Sequence, residues 1–194
     1  MTYQESSSST KRVFLAIDIP NELKKSISEF QNSIKKDFDA KWVEEANFHF
    51  NLKFFGNLTE DEILKIKSKT EEVVKDFKPF YIEIYGMGVF PNFSFPRVVW
   101  LGCKNNIELQ HLSESLDDSF SSVGIKKEER RFVPHLTLGR LRSGKNKQLL
   151  KKIVEKNSNV SFGKFLVKEI ILFESKLSPK GPVYKKLYQF ALGE

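Results

Sequence analysis

The chain is poor in the residues on which several common chemistries depend. Its 194 residues include one cysteine, Cys103, and three histidines. A single thiol cannot close an internal disulfide, and a reducing compartment, the cytoplasm, fits that usage. So few sulfur and imidazole ligands exclude a structural zinc site of the common spacings. No glycine-rich nucleotide loop and no magnesium cage of carboxylates is recognisable, so neither a metal nor another cofactor is expected. No apolar run reaches the roughly 18 residues of a membrane-spanning helix, and no membrane partner is expected. Residues 1–10 are polar and serine-rich, without the apolar stretch of a signal peptide, and are expected to be a disordered tail. Residues 11–194 are expected to form one domain of two small lobes.

What is present points to a packed core and a basic surface. Hydrophobic residues make up 40% of the chain, and 18 phenylalanines make the core bulky. The net charge is 32 − 25 = +7. That balance suits a polyanionic partner such as nucleic acid, but an ordinary solvated surface gives it too.

Two short segments far apart in the chain are alike. One is Phe48–Gly56, FHFNLKFFG, and the other is Pro134–Leu141, PHLTLGRL. In each, a histidine is followed by an apolar residue, a small polar residue and a leucine: His49-Phe50-Asn51-Leu52 and His135-Leu136-Thr137-Leu138. On a strand, residues i and i+2 share a face. His49 therefore stands beside Asn51, and His135 beside Thr137. Phe48, Phe50, Leu52 and Phe54 turn to the other face, as do Leu136 and Leu138. Either histidine alone is more simply a hydrogen-bonded core residue; two in matched motifs point to catalysis. The histidines are 135 − 49 = 86 residues apart, about half the chain, as expected for one per lobe. His111 falls in a helical stretch without such a motif and reads as structural or surface.

The surrounding pattern is mixed α and β. Lys11–Ile19 reads as a strand ending at Pro20, and Asn21 as the cap of a helix to about Phe38. Thr59-Glu60-Asp61-Glu62 resembles a capping box that opens a second helix, with Ile63, Ile66, Val73 and Val74 on its buried face. Strands are expected at Tyr81–Phe90, with Gly86 and Gly88 as bulge or turn positions, at Pro96–Cys103, and at Phe132–Leu141. Helices are expected at Asn105–Val123 and Leu149–Lys156. Phe162–Phe173 and Tyr184–Phe190 close the fold as strands. The order predicts two related α+β lobes whose sheets meet along a cleft.

A pair of imidazoles near neutral pKa can divide the work of acid and base. Displacement at phosphorus needs that division, with one histidine activating water and the other protonating the leaving oxygen. Asn51 and Thr137 can donate hydrogen bonds to the non-bridging oxygens, where charge builds in the transition state. An activated substrate such as a strained cyclic phosphate suits so simple a site.

With these residues in place, the chain resembles the two-histidine (2H) phosphoesterases, in particular the RNA 2′,3′-cyclic phosphodiesterases also called 2′-5′ RNA ligases. That family carries two H-x-[ST]-L motifs. Arg12–Asp18 resembles its opening strand, Phe90-Pro91-Asn92 and Pro96–Gly102 its central loop and strand, and Phe132–Arg140 its second motif. Glu174-Ser175 with Gly181–Tyr184 resembles its closing hairpin.

The resemblance implies a bilobal, pseudo-symmetric α+β (LigT-like) fold, with two antiparallel sheets lining a central cleft and helices outside. It implies hydrolysis of RNA 2′,3′-cyclic phosphate ends to 2′-phosphates, with His49 as proton donor and His135 as acceptor, and the reverse 2′-5′ ligation. The expected partner is RNA with such ends, tRNA-like fragments included, and the expected state is a monomer. Asn51 departs from the family's threonine or serine and is expected still to bind phosphate. Arg140 and Phe54 are candidate base or phosphate contacts, although strict alternation puts both on the face opposite their histidines unless the strands twist or bulge. Arg131, just before the second motif, is a further candidate contact. Two other readings stay open: a phosphodiesterase of small cyclic nucleotides, and an RNA-binding module of this fold without turnover.

Overall fold

A computed structural model describes residues 9–104, 107–179 and 181–193. The expectation for the tail therefore falls almost wholly on residues outside the described ones. The strands are β1 (Lys11–Asp18), β2 (Ala40–Trp42), β3 (His49–Leu58), β4 (Phe80–Phe90), β5 (Val98–Lys104), β6 (Leu136–Leu141), β7 (Ser161–Val167), β8 (Glu169–Ser178) and β9 (Gly181–Ala191). The helices are α1 (Asn21–Ile34), α2 (Glu60–Val74), α3 (Ile107–Ser121) and α4 (Lys147–Asn157).

The described strands form one sheet in the order β7-β4-β5-β6-β3-β1-β8-β9, with β2 added beside β6, and its described pairings are antiparallel. The two expected sheets are its two halves. One half is β3-β1-β8-β9; the other is β6-β5-β4-β7 with β2. Among the described residues their strands pair with each other only at Phe50 and Leu136. The cleft opens along this seam, lined from both halves.

All four helices pack on the sheet face opposite the histidines. Phe50, Leu52, Leu136 and Leu138 share one core with Ile27 and Ile34 of α1, Ile63 and Ile66 of α2, Leu112 and Phe120 of α3, and Leu150 and Val154 of α4. Burying a side chain such as Phe50, which is fully covered, contributes about 1.5–3 kcal/mol.

The capping box is present: Thr59 accepts from the Glu62 N–H while the Glu62 carboxylate accepts from the Thr59 N–H. On α2 the middle of the buried stripe is Thr70, its hydroxyl donating to the Ile66 carbonyl at 2.7 Å, while Val73 is only partly covered. Other expectations shift. Pro20, not Asn21, occupies the cap position of α1, and that helix gives way to a 3-10 turn at Lys35–Asp37. The expected strand Phe162–Phe173 is two strands, β7 and β8, on opposite sides of the seam in the sheet path. Gly86 has φ +73 and lies in a bulge between Ile84 and Met87, as its glycine suggested.

Candidate active site

His49 and His135 line one cleft of about 500 Å³ at the seam, together with Asn51 and Thr137. The seam sets their arrangement. Phe50 and Leu136 pair antiparallel, and each follows its histidine directly. His49 is thereby brought to the side of Thr137, and Asn51 to the side of His135. The four polar side chains form a corner related by an approximate two-fold through Phe50 and Leu136, which themselves point down into the core.

The imidazoles are held alike. His49 Nδ1 lies 2.7 Å from the Asn47 carbonyl, and His135 Nδ1 lies 2.8 Å from the Val133 carbonyl. A carbonyl can only accept, so Nδ1 carries the proton in both rings. Nε2 is left as the nitrogen for proton transfer. Each ring rests on an aromatic shelf: Phe14 lies 5.0 Å and Tyr184 5.5 Å from His49 between ring centres, and Phe90 lies 5.0 Å and Trp100 6.4 Å from His135. Gly88 makes the second shelf fit, because a Cβ there would meet the Trp100 ring at 2.2 Å.

Burial lowers the pKa of both histidines from 6.5. The Asn47 carbonyl and the Asp18 carboxylate oppose that shift at His49, whereas Lys24 and a charged His135 add to it. At His135 the Val133 carbonyl opposes the shift and Arg140 adds to it. Burial also raises the Tyr184 hydroxyl, against the pull of Arg140 and Arg12.

Phe54 and Arg140 do reach the cleft, and simple alternation fails at a defined place. Along β1 and β3, Leu15 pairs with Lys53 and Ala16 with Asn51, so Leu52 is an extra residue. Along β5 and β6, Val99 pairs with Gly139 and Trp100 with Thr137, so Leu138 is extra. Each strand bulges at the leucine of its motif. After the bulge the phase reverses, and the residue two further on joins the histidine face. Phe54 is therefore not a core residue alongside Phe50 and Leu52. It is 51% exposed, with the Arg12 guanidinium 4.9 Å from its ring centre. Lys53 takes the inward position and is buried against Asp117.

Arg131 is exposed and lies outside the residues lining the cleft. His111 is exposed on α3 and lies outside them too. Arg12, Lys41 and Tyr184, which carried no expected role, also line the cleft. Arg12 and Tyr184 lie inside segments that resembled the family, and a lone arginine opening an apolar strand was a usable signal. No helix of the described residues is long and apolar enough to cross a membrane.

The fold of this chain recurs in solved structures, among them a phosphoesterase that superposes with a TM-score of 0.75 at 22% identity, covering 95% of this chain and 99% of that one. The protein TT0787 of Thermus thermophilus superposes with a TM-score of 0.81 at 28% identity, covering 94% of this chain and 99% of that one. LigT of E. coli in its apo form superposes with a TM-score of 0.78 at 23% identity, covering 96% and 100%. The family model of the 2′-5′ RNA ligase superfamily matches residues 9–178. A curated relative from Methanothermobacter thermautotrophicus, an RNA 2′,3′-cyclic phosphodiesterase, is 39% identical over 182 residues, 93% of this chain and 98% of its own length. A relative of the same name from Methanocaldococcus jannaschii is 38% identical over 179 residues, 92% and 99%. The chain belongs to the 2′-5′ RNA ligase superfamily.

Proposed function

We propose that this chain hydrolyses 2′,3′-cyclic phosphate ends of RNA to 2′-phosphates, with His49 as general acid and His135 as general base. The observation that carries the reading is the matched pair of imidazoles, each with Nδ1 held by a carbonyl two residues back and Nε2 left for the substrate. Neutral His135 takes a proton from water through Nε2 as the water oxygen bonds to phosphorus. The bond from phosphorus to O3′ breaks, and protonated His49 delivers its Nε2 proton to O3′. The product keeps the phosphate on O2′ and gains a 3′-hydroxyl. His135 ends protonated and His49 neutral, and exchange with solvent restores the starting pair.

Asn51 and Thr137 line the same cleft, which supports a role for both as donors to the non-bridging oxygens. A 5′-hydroxyl in place of water would make a 2′-5′ linkage by the same displacement, so ligation is a second outcome of one site. The reading carries with it a cytoplasmic, monomeric enzyme acting on RNA ends such as those of tRNA-like fragments, and gel filtration tests the monomer.

The experiment is incubation with an oligoribonucleotide ending in a 2′,3′-cyclic phosphate, followed by mapping of the phosphate. The expected result is a 2′-phosphate, formed equally well in EDTA, with a loss of about 10²–10⁴-fold for either His49→Ala or His135→Ala. A product phosphorylated on O3′ would reverse the roles of the leaving oxygens, and activity abolished by EDTA would remove the mechanism. RNA binding that persists in both variants, with no conversion by the wild type, would leave a binding module instead.

A further inference from the structure

The cleft holds more positive charge than its histidine corner uses. Lys41 on β2 and Arg140 on β6 are directly opposed in the antiparallel register. Both are exposed, and both line the cleft. Directly opposed residues share a sheet face with Cβ atoms about 4.5–5.5 Å apart, and like charges so placed repel. Among the described residues neither Lys41 nor Arg140 forms an ion pair; Arg142, two residues on, has Asp39. Glu44 lies on the same rim and pairs with neither. A repulsive pair kept on the wall of a binding cleft is relieved when an anion sits between the two charges.

Position says which anion. Arg140 lies close enough to His135 to depress its pKa. Lys41 stands one strand further out. Thr137, Arg140 and Lys41 thus form a row leading away from the reacting phosphorus. The cyclic phosphate itself is served by the two histidines, Asn51 and Thr137. A second phosphate, one nucleotide along the chain, falls to the outer cations.

We propose that Lys41 and Arg140 form a second phosphate subsite, which takes the phosphate on the 5′ side of the terminal nucleotide and makes the cleft select RNA ends over cyclic mononucleotides. This rests on the proposed cyclic phosphodiesterase activity. Lys41 is the new specificity-determining residue, because Arg140 also faces the reactive corner.

The test compares three substrates with one base: a nucleoside 2′,3′-cyclic phosphate, the same compound bearing a 5′-phosphate, and a trinucleotide ending in the cyclic phosphate. For the wild type, KM is expected to fall about tenfold on adding the 5′-phosphate, with the trinucleotide at least as good. Lys41→Ala is expected to erase that gain and leave kcat/KM on the bare cyclic nucleoside unchanged, while Lys41→Arg keeps it. The dependence of log KM on log salt for the trinucleotide should weaken by about one phosphate contact in Lys41→Ala. A wild type that treats all three substrates alike, or a Lys41→Ala enzyme slowed equally on all three, overturns the subsite. Failure to turn over any of the three would instead strike at the proposed function.

Discussion

The side-chain amide of Gln31, buried on α1, donates to the carbonyl of Leu138 at 2.9 Å. Leu138 is the residue at which β6 bulges, and its carbonyl also accepts from the Val43 N–H at 2.9 Å. The same amide donates to the Val43 carbonyl at 2.9 Å. A bulge frees backbone groups from the ladder, and buried ones must find other partners. Gln31 supplies them from a helix whose neighbouring turns are apolar. It thereby fixes the phase of the strand that carries Thr137 and Arg140. Gln31→Leu is expected to cost about 1–3 kcal/mol, read as a drop in denaturation midpoint. It should also raise KM by loosening Arg140. An unchanged midpoint would show that the bulge stands without the amide.

The matching bulge at Leu52 gives a sharper contrast. Phe50 is fully buried and Phe54 half exposed in the cleft, although both are phenylalanines of one motif. Phe50→Ala is expected to cost about 3–5 kcal/mol. Phe54→Ala should cost under about 1 kcal/mol, as a surface change does, and appear as a raised KM. Chemical denaturation of both variants checks the pair, and equal losses would contradict the reversed phase.

These two residues also mark how far the sequence could be read. Alternation placed His49 with Asn51 and His135 with Thr137 on one face, and the capping box at Thr59 marked the start of α2. Both are local rules of geometry and hydrogen bonding, which need no knowledge of the rest of the chain. The phase reversal after Leu52 and Leu138 was not legible, because a bulge is settled by the partner strand and by buried groups such as Gln31. Lys53 inside an apolar run was the visible trace of it. The division of 162–173 into β7 and β8 was hidden for a similar reason: the run stays β-prone, and only Lys168 interrupts the two strands. Lys41 went unremarked because its meaning comes from Arg140, 140 − 41 = 99 residues away.

Lys53 owes its inward direction to the bulge at Leu52. Its ammonium pairs with the Asp117 carboxylate on α3 and donates to the Lys126 carbonyl at 2.8 Å. Asp117 also accepts from the Glu128 N–H at 2.9 Å. The first motif thus anchors the segment that leads to His135. Lys53→Ala leaves the partly buried Asp117 carboxylate without its ammonium partner, though still accepting from the Glu128 N–H, and is expected to cost about 1–3 kcal/mol. The double change Lys53→Met with Asp117→Leu should recover much of that loss. Thermal denaturation of the single and double variants decides it, and a double variant no better than the single one would remove the pair's role.

Burial keeps both histidine pKa values below 6.5 in the free enzyme. The base must be neutral and the acid protonated, so both limbs of the kcat/KM profile move to the acid side of that value. A bound phosphate anion favours the charged imidazoles and raises both values. The kcat optimum is therefore expected at higher pH than the kcat/KM optimum. Stability follows from the same shifts. The unfolded chain binds more protons than the folded one between the lowered values and 6.5, so stability is full above 6.5 and falls as pH drops from there through the folded values. His49→Asn should flatten part of that fall, and denaturation midpoints across the window measure it.

Asn51 stands in the first motif where the second motif has Thr137. It lines the cleft and stands on the side of His135 across the seam. A hydroxyl offers one donor on a short stem, whereas the amide offers two on a planar group that reaches further. Charge on the non-bridging oxygens grows toward the transition state, so a donor aimed at them acts on kcat more than on KM. Asn51→Ala is expected to lower kcat by about 10²-fold with little change in KM, the scale seen for lost oxyanion donors. Asn51→Thr makes the first motif match the second and should keep most of the activity, because Thr137 carries a hydroxyl at the equivalent place. If Asn51→Ala turns over a cyclic-phosphate-ended RNA at the wild-type rate, the amide does not hold the phosphate. Thr137 would then be the sole donor of the pair.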